Sequence, residues 1–381
     1  MKFIHLSDLH LGKNVNEFSM IEDQKYILNQ IVELIQKESI DAVLIAGDIY
    51  DRAVPSEEAV KLFDLFLTKL SEMEKLVFVI SGNHDSDERL NFGSRLFTAN
   101  HIYIAGRYDG TIECVDIEDE YGLIHVWLMP YIKASRVAHF YPKEDTSTYD
   151  AAFRTAIGKC DLQLSERNII LVHQFVTTKG SELELAGSES TVLNVGTIDK
   201  IGAECFDAFD YVAMGHIHSG QAVGRETCRY AGSPLKYSLN QREINAQKTV
   251  PIITMCEKGR VKVENVPLKP LHEVRRIKGQ LNQLLQNAVD TQDYIYATLT
   301  DETIQFDAMA RLQEVYPNTM KLDYDNQSTK ALQETEGVTD TDGKSFYELV
   351  SEFFQLINGN EPDEADWKIL EEVAKEAEVI E

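Results

Sequence analysis

Short apolar segments of four or five residues recur along the first 270 residues, and polar residues follow each one, most often in a loop with glycine. The segments are rich in valine, isoleucine, leucine and aromatic residues, which is typical of buried strands. The segments that precede the most polar loops occupy residues 1–4, 42–45, 76–80, 169–172 and 211–214. The pattern predicts sheets with polar groups gathered at one edge.

Helical patterns lie between the early segments. Residues 22–38 place apolar side chains at i, i+3 and i+4 spacing, and residues 56–73 follow Pro55, a reasonable helix start. Further strands are predicted at residues 125–128 and 250–256. Residues 1–270 are therefore interpreted as one large domain of sheets covered by helices.

The pattern changes after about residue 270. A compact βαβαβ order predicts a small α/β domain at residues 271–325. Its strands are predicted at 273–277, 294–299 and 320–324, and its helices at 279–287 and 306–315. A polar linker at 326–344 then leads to the C-terminal region 345–381, with two acidic amphipathic helices predicted at 345–357 and 362–379. Their apolar stripe consists of Phe346, Leu349, Val350, Phe353, Phe354, Ile357, Trp367, Leu370 and Val373.

The net charge of the chain bears on whether it binds nucleic acids. The chain has a formal net charge of −26, and residues 330–381 hold fifteen Asp or Glu against four Lys or Arg. The remainder is still acidic, which argues against a stand-alone, tight nucleic-acid binder. Local basic patches or a basic partner would have to supply affinity for DNA.

Cysteine usage and hydropathy predict the compartment. The five cysteines form no CxxC pair, and the first residues, MKFIHLSDLHLG, have no apolar core of a secretion signal. No run of about 18 apolar residues is present that would span a membrane. We therefore expect a cytoplasmic protein with reduced thiols.

Five short motifs carry candidate chemistry, each at the end of a predicted strand. They are Asp8-Leu9-His10, Gly47-Asp48 with Asp51-Arg52, Gly82-Asn83-His84-Asp85, His173, and Gly215-His216-Ile217-His218. Any one of them could be a turn or a capped loop, but the set has no common structural explanation. Carboxylate, imidazole and carboxamide ligands together suit Mn²⁺, Fe or Zn²⁺ better than Ca²⁺ or Mg²⁺. The remaining histidines are interpreted as surface or satisfied core residues: His5, His101, His125, His139 and His272.

These motifs resemble those of the calcineurin-like metallophosphoesterases, D-x-H, G-D-x-x-D, G-N-H-D, H and G-H-x-H. The match covers about residues 1–235 and substitutes no ligand position. In detail, HLSDLHLGK, AGDIYDR, SGNHDS and GHIHSGQ are similar to the nuclease subunits of bacterial ATPase–nuclease complexes. The resemblance implies an α+β fold: a four-layer α/β/β/α double β-sandwich, followed by a small α/β DNA-capping domain and a C-terminal helical tail.

The resemblance also implies a two-metal site, with Mn²⁺ as the expected ion. One ion would be held by Asp8, His10, Asp48 and His218, and the other by Asp48, Asn83, His173 and His216. Asp48 would bridge the two ions. His84 would not bind metal but would protonate or stabilise the leaving oxygen.

Other polar residues near the motifs have two interpretations each. Asp51 and Asp85 are expected to orient ligands, although a turn or cap role would explain them equally well. Lys13, Arg52 and Arg89 could contact a DNA backbone, and a solvated surface is the favoured alternative.

The implied activity is a Mn²⁺-dependent double-strand 3′→5′ exonuclease and single-strand endonuclease that acts on DNA hairpins and ends in repair, recombination and replication. The protein would act as a homodimer, controlled by the ATP cycle of an ABC-type ATPase partner. The terminal helices are expected to dock on the coiled-coil base of that ATPase. The alternative is that they fold back on the small domain.

Two other functions remain open at this stage. A phosphatase or small-molecule phosphodiesterase on the same scaffold would explain the phosphatase-like GDIYDR. Against it stand Asp85, where such phosphatases tend to have Glu, and a C-terminal third that a small substrate does not need. A non-catalytic scaffold is disfavoured because no ligand position is lost.

Overall fold

The computed structural model describes residues 1–178, 183–187, 200–326, 347, 349–351 and 361–376, and the chain divides into two units, Met1–Val274 and Arg275–Glu381. The helices of the first unit are α1 (Ile21–Lys37), α2 (Glu57–Glu72), α3 (Asp87–Asn91), α4 (Ser94–Phe97), α5 (Ala134–Phe140), α6 (Tyr149–Ile157) and α7 (Gln241–Asn245). Its strands are β1 (Lys2–Leu6), β2 (Asn14–Val15), β3 (Phe18–Ser19), β4 (Ala42–Ala46), β5 (Leu76–Ile80), β6 (Ile102–Ala105), β7 (Glu113–Asp119), β8 (Gly122–Leu128), β9 (Arg167–His173), β10 (Val176–Thr177), β11 (Ile201–Gly202), β12 (Tyr211–Gly215), β13 (Gln221–Val223), β14 (Arg225–Tyr230), β15 (Thr249–Met255) and β16 (Val261–Pro267).

The first large sheet has the strand order β16-β15-β1-β4-β5-β6. Strands β1, β4, β5 and β6 run parallel, whereas β15 and β16 pair antiparallel at the other side. Every residue of β4 is buried, as its continuous apolar sequence predicts for a strand covered on both faces. The parallel pairing brings the carboxyl ends of β1, β4 and β5 to one edge.

The second large sheet has the order β13-β14-β12-β9-β8-β7. Its inner strands β8, β9, β12 and β14 are parallel, and the antiparallel strands β7 and β13 lie at its two edges. All seven residues of β9 are buried. The carboxyl ends of β9 and β12 are adjacent, because Gly215 pairs with His173 in the register of the two strands.

The two sheets share one hydrophobic core. Phe3, Leu44 and Phe78 of the first sheet belong to the same buried cluster as Val126 and Leu171 of the second. A further cluster joins the outer face of the second sheet to buried residues of α5 and α6. The combination of mixed sheets and helices confirms the predicted α+β class.

The second unit contains a three-stranded sheet of order β17-β18-β19, in which β18 and β19 are parallel. Its elements are β17 (Val274–Gly279), α8 (Leu281–Gln286), β18 (Tyr294–Leu299), α9 (Ala308–Val315), β19 (Thr319–Tyr324) and α10 (Glu364–Glu376). Both helices of the βαβαβ segment cover one face of the sheet, with Leu281 and Leu312 fully buried in its core. The predicted βαβαβ order is confirmed.

Part of the predicted C-terminal region lies outside the described residues. This applies to the linker at 326–344 except Asn326, and to most of the predicted helix at 345–357, including Phe346, Phe353, Phe354 and Ile357. Helix α10 occupies the place of the second predicted helix. No helix within the described part of the chain has the length and apolar content needed to cross a membrane.

Candidate metal centre

The seven predicted metal ligands lie at the carboxyl ends of strands from both sheets. Asp8 and His10 follow β1, Asp48 follows β4, Asn83 follows β5, His173 ends β9, and His216 and His218 follow β12. Because these strands are parallel within each sheet, their ends come together at one edge of the sandwich. The strand-end placement predicted from sequence is confirmed for all seven residues.

Two glycines allow the loops to approach each other closely. A Cβ atom on Gly82 would lie 2.1 Å from Asp48 Oδ1, and one on Gly215 would lie 2.0 Å from the carbonyl oxygen of Ala46. Both distances are far below van der Waals contact, so a larger residue would force the loops apart. The glycines in the motifs are therefore requirements of packing at the site.

The backbone at the site is strained. Asp8, His10, Asp48 and His216 have φ angles of 53°, 45°, 52° and 97°. Non-glycine residues rarely adopt this left-handed region, and each such residue costs about 1–3 kcal/mol. Four residues of one cluster share the strain, as is common at functional sites, where surrounding structure fixes side chains in place.

The first group of side chains surrounds His10. Its Nε2 atom lies 3.1 Å from His218 Nε2 and 3.6 Å from Asp48 Oδ2. His218 Nε2 is also 4.0 Å from Asp8 Oδ1. Asp8, His10 and His218 thus bring one ligand atom each within 4.8 Å of one another, and all three are buried.

The second group surrounds Asn83. Its Oδ1 atom lies 3.1 Å from His173 Nε2 and 2.9 Å from His216 Nδ1. His173 Nε2 is 3.3 Å from Asp48 Oδ2. Asp48 therefore contacts both groups, in the position between them that a bridging ligand requires.

The chemistry of these donors fits divalent metal ions. Imidazole nitrogens and carboxylate and amide oxygens converge at 2.9–4.0 Å in buried surroundings. Each of the contacts between a ring nitrogen and its neighbour can be a hydrogen bond only while one of the two atoms carries a proton, and a cation bound between them would take the place of that proton. His173 Nδ1 is 2.8 Å from the Ala46 carbonyl oxygen, which can only accept, so Nδ1 carries a proton and Nε2 is the atom that would bind a metal in place of a second proton.

Burial and charge shift the pKa values at the site in opposite directions. Burial raises the pKa of Asp8 and lowers that of His216 to about 3. Burial opposes ionisation of Asp48 as well, but His173 and His10 outweigh it and hold the pKa of Asp48 well below its usual range. Burial would lower the pKa of His173, yet the carboxylates of Asp48 and Asp8 raise it to about 9. Anionic charge at Asp48 thus favours a cation at this point.

His84 lies beside the two groups and is half-buried. Its backbone N–H donates to Asp48 Oδ1 at 2.9 Å, and its Nδ1 lies 2.9 Å from the Asp51 carbonyl oxygen. The carbonyl can only accept, so Nδ1 carries a proton and Nε2 is the atom available for proton exchange. The ring packs edge-on against His10, with centroids 4.8 Å apart.

Asp85 and Asp51 hold the loops that carry the ligands. The Asp85 carboxylate accepts hydrogen bonds from the backbone N–H groups of Ile49, Tyr50 and Gly82 at 2.9–3.1 Å. It therefore joins the loop after β4 to the loop after β5. Asp51 Oδ1 accepts from Lys13 at 2.7 Å and lies 3.6 Å from His10 Nδ1.

The three basic residues near the motifs differ in exposure. Lys13 is largely buried and paired with Asp51, so its charge is already engaged. Arg52 is 77% exposed and only 3.7 Å from Asp51 Oδ2, and Arg89 is exposed on α3. Arg52 and Arg89 are therefore the better placed of the three for contact with a polyanion.

Three supporting residues were missed from sequence. Ser7 Oγ donates to Asp8 Oδ2 at 2.6 Å, Gln24 Nε2 donates to the His10 carbonyl at 2.8 Å, and Lys248 Nζ donates to the His218 carbonyl at 3.0 Å. Gln24 and Lys248 lie outside the motifs, and only the fold brings them there. Ser7 could have been found, since it immediately precedes a ligand.

Comparison with known proteins gives two family matches. Residues 1–220 match the calcineurin-like phosphoesterases, and residues 270–358 match the type 5 capsule protein repressor C-terminal domain. SbcD of Staphylococcus epidermidis, a subunit of the nuclease SbcCD, is 31% identical over 326 residues, which cover 84% of this chain and 85% of that protein.

Two solved structures are similar at low identity. A dimetal phosphatase from Danio rerio is 13% identical, covers 71% of this chain and 98% of its own, and gives a TM-score of 0.39. YfcE, a phosphoesterase from E. coli, is 11% identical, covers 67% and 88% of the two chains, and gives a TM-score of 0.26. At such TM-scores the family assignment depends on the sequence matches.

Proposed function

The chain belongs to the calcineurin-like phosphoesterase family, and from this premise we propose that it is a two-metal-dependent DNA nuclease, the SbcD-type member of an SbcCD complex. Two observations support the proposal together. The full set of ligand side chains converges at one edge of the sandwich, and the relative at 31% identity over 84% of the chain is an SbcCD nuclease subunit. The first supports the phosphoester chemistry, and the second supports the DNA substrate.

The proposed cofactors are two divalent ions, with Mn²⁺ expected. The proposed ligands are Asp8, His10, Asp48 and His218 for one ion, and Asp48, Asn83, His173 and His216 for the other. Two divalent ions, when bound, supply Lewis acidity toward a phosphodiester and lower the pKa of water. The residues themselves would fix the position of these ions, because four of the ligands have strained backbone and hydrogen bonds from Ser7 and to the Ala46 carbonyl hold Asp8 and His173.

His84 is the proposed proton donor to the leaving oxygen. Its Nδ1–H is held by the Asp51 carbonyl, and its backbone N–H is held by Asp48, so the ring has a fixed tautomer and a fixed position beside the ligands. An imidazole is suited to proton transfer near neutral pH. Asp51 and Asp85 would act through other residues, as positioning groups for His84, His10 and the two loops.

A basic and aromatic face in the second unit supports DNA binding despite the net charge of −26. Arg276, Lys278 and Lys321 are exposed on one face of the three-stranded sheet. Asp325 and Asp323 pair with the two lysines at 2.5 and 2.9 Å, so a DNA phosphate would have to compete with these carboxylates. The Arg276 guanidinium lies 4.7 Å and Lys321 Nζ 4.9 Å from the ring centroid of Tyr296, which lies between them on β18. Cations interleaved with an aromatic ring are typical of surfaces that contact nucleic acids. We propose that this face contacts DNA, as do Arg52 and Arg89 in the first unit.

The proposed partner is an SbcC-type ABC ATPase, bound through the C-terminal helices. Helix α10 exposes Ile369 and Val373 by 62% and 58%, an apolar surface suited to another helix. We further propose that the protein acts as a homodimer within a heterotetramer, in the cytoplasm and associated with the nucleoid. Phe92 and Leu96, exposed by 85% and 77%, are the proposed centre of the homodimer surface.

The test compares cleavage of end-labelled duplex DNA with Mn²⁺ by the parent protein and by His84→Gln. We expect shortening by the parent and a loss of about 10²–10⁴-fold in the variant, the usual contribution of a general acid. Bound Mn²⁺ should be unchanged, because His84 is not a proposed ligand. His139→Gln, a histidine on α5 outside the site, is the matched control and should cut like the parent.

Two outcomes would contradict the proposal. If DNA stays intact even with the ATPase and ATP, while a small aryl phosphate is hydrolysed, the protein is a phosphatase or small-molecule phosphodiesterase. If the protein binds no transition metal, it is a scaffold without phosphoester chemistry.

A further inference from the structure

A second cluster of metal-ligating side chains lies on the hairpin formed by β7 and β8, at the edge of the second sheet. Cys114, Asp116 and His125 bring one ligand atom each within 4.8 Å of one another. The register places Asp116 opposite His125, and Cys114 lies two residues before Asp116, so it projects from the same face of β7. None of these residues belongs to the metal centre, and the sequence predicted only a surface or core role for His125.

His125 is held between two carboxylates. Its Nδ1 lies 2.6 Å from Asp116 Oδ1 and its Nε2 lies 2.5 Å from Glu166 Oε2, although the residue is only 8% exposed. A neutral imidazole can donate from one nitrogen only, and an ionised carboxylate cannot donate. The arrangement therefore needs a positive charge at the ring, either a second proton or a metal ion in its place.

Glu166 determines which nitrogen is free. When Nε2–H donates to Glu166, the Nδ1 lone pair faces Asp116 and Cys114. A carboxylate behind the second nitrogen is the usual way in which proteins fix the tautomer of a histidine that binds a metal. Glu166 reaches this position because it directly precedes β9, the strand that pairs with β8.

We call this group the hairpin cluster: Cys114, Asp116 and His125, with Glu166 behind His125. We propose that it binds a zinc ion through Cys114 Sγ, Asp116 Oδ1 and His125 Nδ1. Cys114 Sγ lies 3.6 Å from Asp116 Oδ1, close to the edge of about 3.5 Å that tetrahedral zinc gives a sulfur and an oxygen ligand. The contact between His125 and Asp116 would open to about 3.3 Å. Zinc would displace the Cys114 thiol proton and the Nδ1 proton, and both would pass to water.

The ligand types select the ion. A thiolate prefers zinc or another soft ion over the manganese expected at the metal centre. Cys114 is exposed and the Asp116 side chain is 60% exposed, so the ion can enter from solvent and water can complete the fourth position. The hairpin cluster would fasten the edge strand β7 to β8 and to the residue preceding β9.

Cobalt titration of the full-length, reduced, metal-free protein tests the proposal. Co²⁺ replaces zinc in such sites, and a thiolate ligand produces sulfur-to-cobalt charge-transfer absorption. The seven proposed ligands of the metal centre offer nitrogen and oxygen donors only, so this absorption cannot come from the metal centre. We expect it in the parent protein and in Asp48→Asn, and we expect zinc to abolish it by competition.

Matched variants locate the sulfur. Cys114→Ser and His125→Gln should lose the absorption, while Cys256→Ser, a partly exposed thiol outside the cluster, should keep it. Cys160 requires its own variant, because its thiol is near enough to contribute to the raised pKa of Cys114. Loss in Cys160→Ser together with retention in Cys114→Ser would overturn the assignment of the ligand.

Alkylation of the parent protein gives a result that does not depend on variants folding. Zinc should slow the reaction of iodoacetamide with Cys114, measured by mass on the peptide that contains it, and should leave Cys256 unprotected. Equal alkylation of Cys114 with and without zinc, or the absence of charge-transfer absorption in the parent, would refute zinc binding. Neither readout uses DNA cleavage, so the result is independent of the proposed nuclease activity.

Discussion

The metal centre and the hairpin cluster both gather imidazole and carboxylate groups on strands of one sandwich, but they are built differently. At the metal centre the ligands follow the ends of β1, β4, β5, β9 and β12, and four of them have strained backbone. At the hairpin cluster the three ligands lie within paired antiparallel strands, where register alone brings them together.

The difference lies in how each arrangement is maintained. Ligands on loops need other groups to fix them, and Asp85, Gln24 and Lys248 do this by bonding to backbone atoms of the loops. Ligands on a hairpin are held in position by the backbone hydrogen bonds between the two paired strands. A change near the metal centre should therefore disturb function before stability, and a change in the hairpin should do the reverse.

The largest expected effect is that of Asp48→Asn, because Asp48 contacts both groups of ligands. We expect cleavage of DNA to fall by about 10³-fold, the rate equivalent of the several kcal/mol that a catalytic metal supplies. Bound manganese, measured by mass spectrometry, should fall as well. Asp64→Asn, on the exposed side of α2, is the control and should retain both. Full activity in Asp48→Asn would remove it from the proposed ligand set.

Gly82→Ala tests whether close packing positions the ligands. Its Cβ would meet Asp48 Oδ1 at 2.1 Å, so the carboxylate must move, and we expect a loss of about 10–100-fold in metal affinity. Gly259→Ala is the control: its φ of 80° strains an alanine, but its Cβ would meet nothing within 4 Å. Both variants should melt earlier than the parent, and only Gly82→Ala should need more manganese for half-maximal cleavage. An unchanged manganese requirement in Gly82→Ala would contradict the packing argument.

The contrast also explains how much could be predicted from the sequence. The ligands of the metal centre are recognisable because buried apolar strands end abruptly in short polar motifs, and β5 and β18 were predicted with their observed bounds. The edge strands β7 and β13 were not predicted, since they are short or mostly exposed and carry no apolar run. The hairpin cluster therefore went unrecognised.

Contacts between residues far apart in the chain could not be predicted from the sequence either. Gln24 and Lys248 support His10 and His218 from 14 and 30 residues away, and nothing local to either residue indicates this. Glu166 is 41 residues from His125. Motifs report which loops carry ligands, but the residues that hold those loops depend on how helices and strands pack.

Asp119→Asn tests the stability of the hairpin. The Asp119 carboxylate, near the turn between β7 and β8, pairs with the buried Arg167 guanidinium at 2.5 Å. Burial opposes ionisation of Asp119, but Arg167 and the N-terminal ammonium of Met1, 2.7 Å from Asp119 Oδ2, outweigh it and hold the pKa of Asp119 below its usual range. We expect the variant to lose about 3 kcal/mol of unfolding free energy near pH 7, because it leaves the Arg167 guanidinium and the Met1 ammonium without their carboxylate.

The sign of the pH dependence follows from the lowered pKa. Ionised Asp119 stabilises the fold fully above about pH 4, and this contribution disappears as the pH falls through the lower native pKa. The difference between parent and variant in urea unfolding should therefore be constant from pH 5 to 7 and should shrink below about pH 4. A difference that persists at the lowest pH would mean that the variant disturbs packing and not charge.

Cys114→Ser without added zinc should have the smallest effect. The thiol is exposed and makes only a weak contact with Asp116, so the free energy of unfolding should change by less than about 0.5 kcal/mol. Manganese-dependent cleavage should match that of the parent, because no proposed ligand of the metal centre is altered.

With saturating zinc, the parent should gain stability that the variant lacks, since an ion bound only by the folded state raises its unfolding free energy. Zinc also stabilises through the metal centre, so the comparison is made in an Asp48→Asn background. Equal zinc stabilisation of the two proteins in that background would show that the hairpin cluster binds no zinc. The metal centre and the hairpin cluster would then differ in whether they bind metal, and not only in how their side chains are positioned.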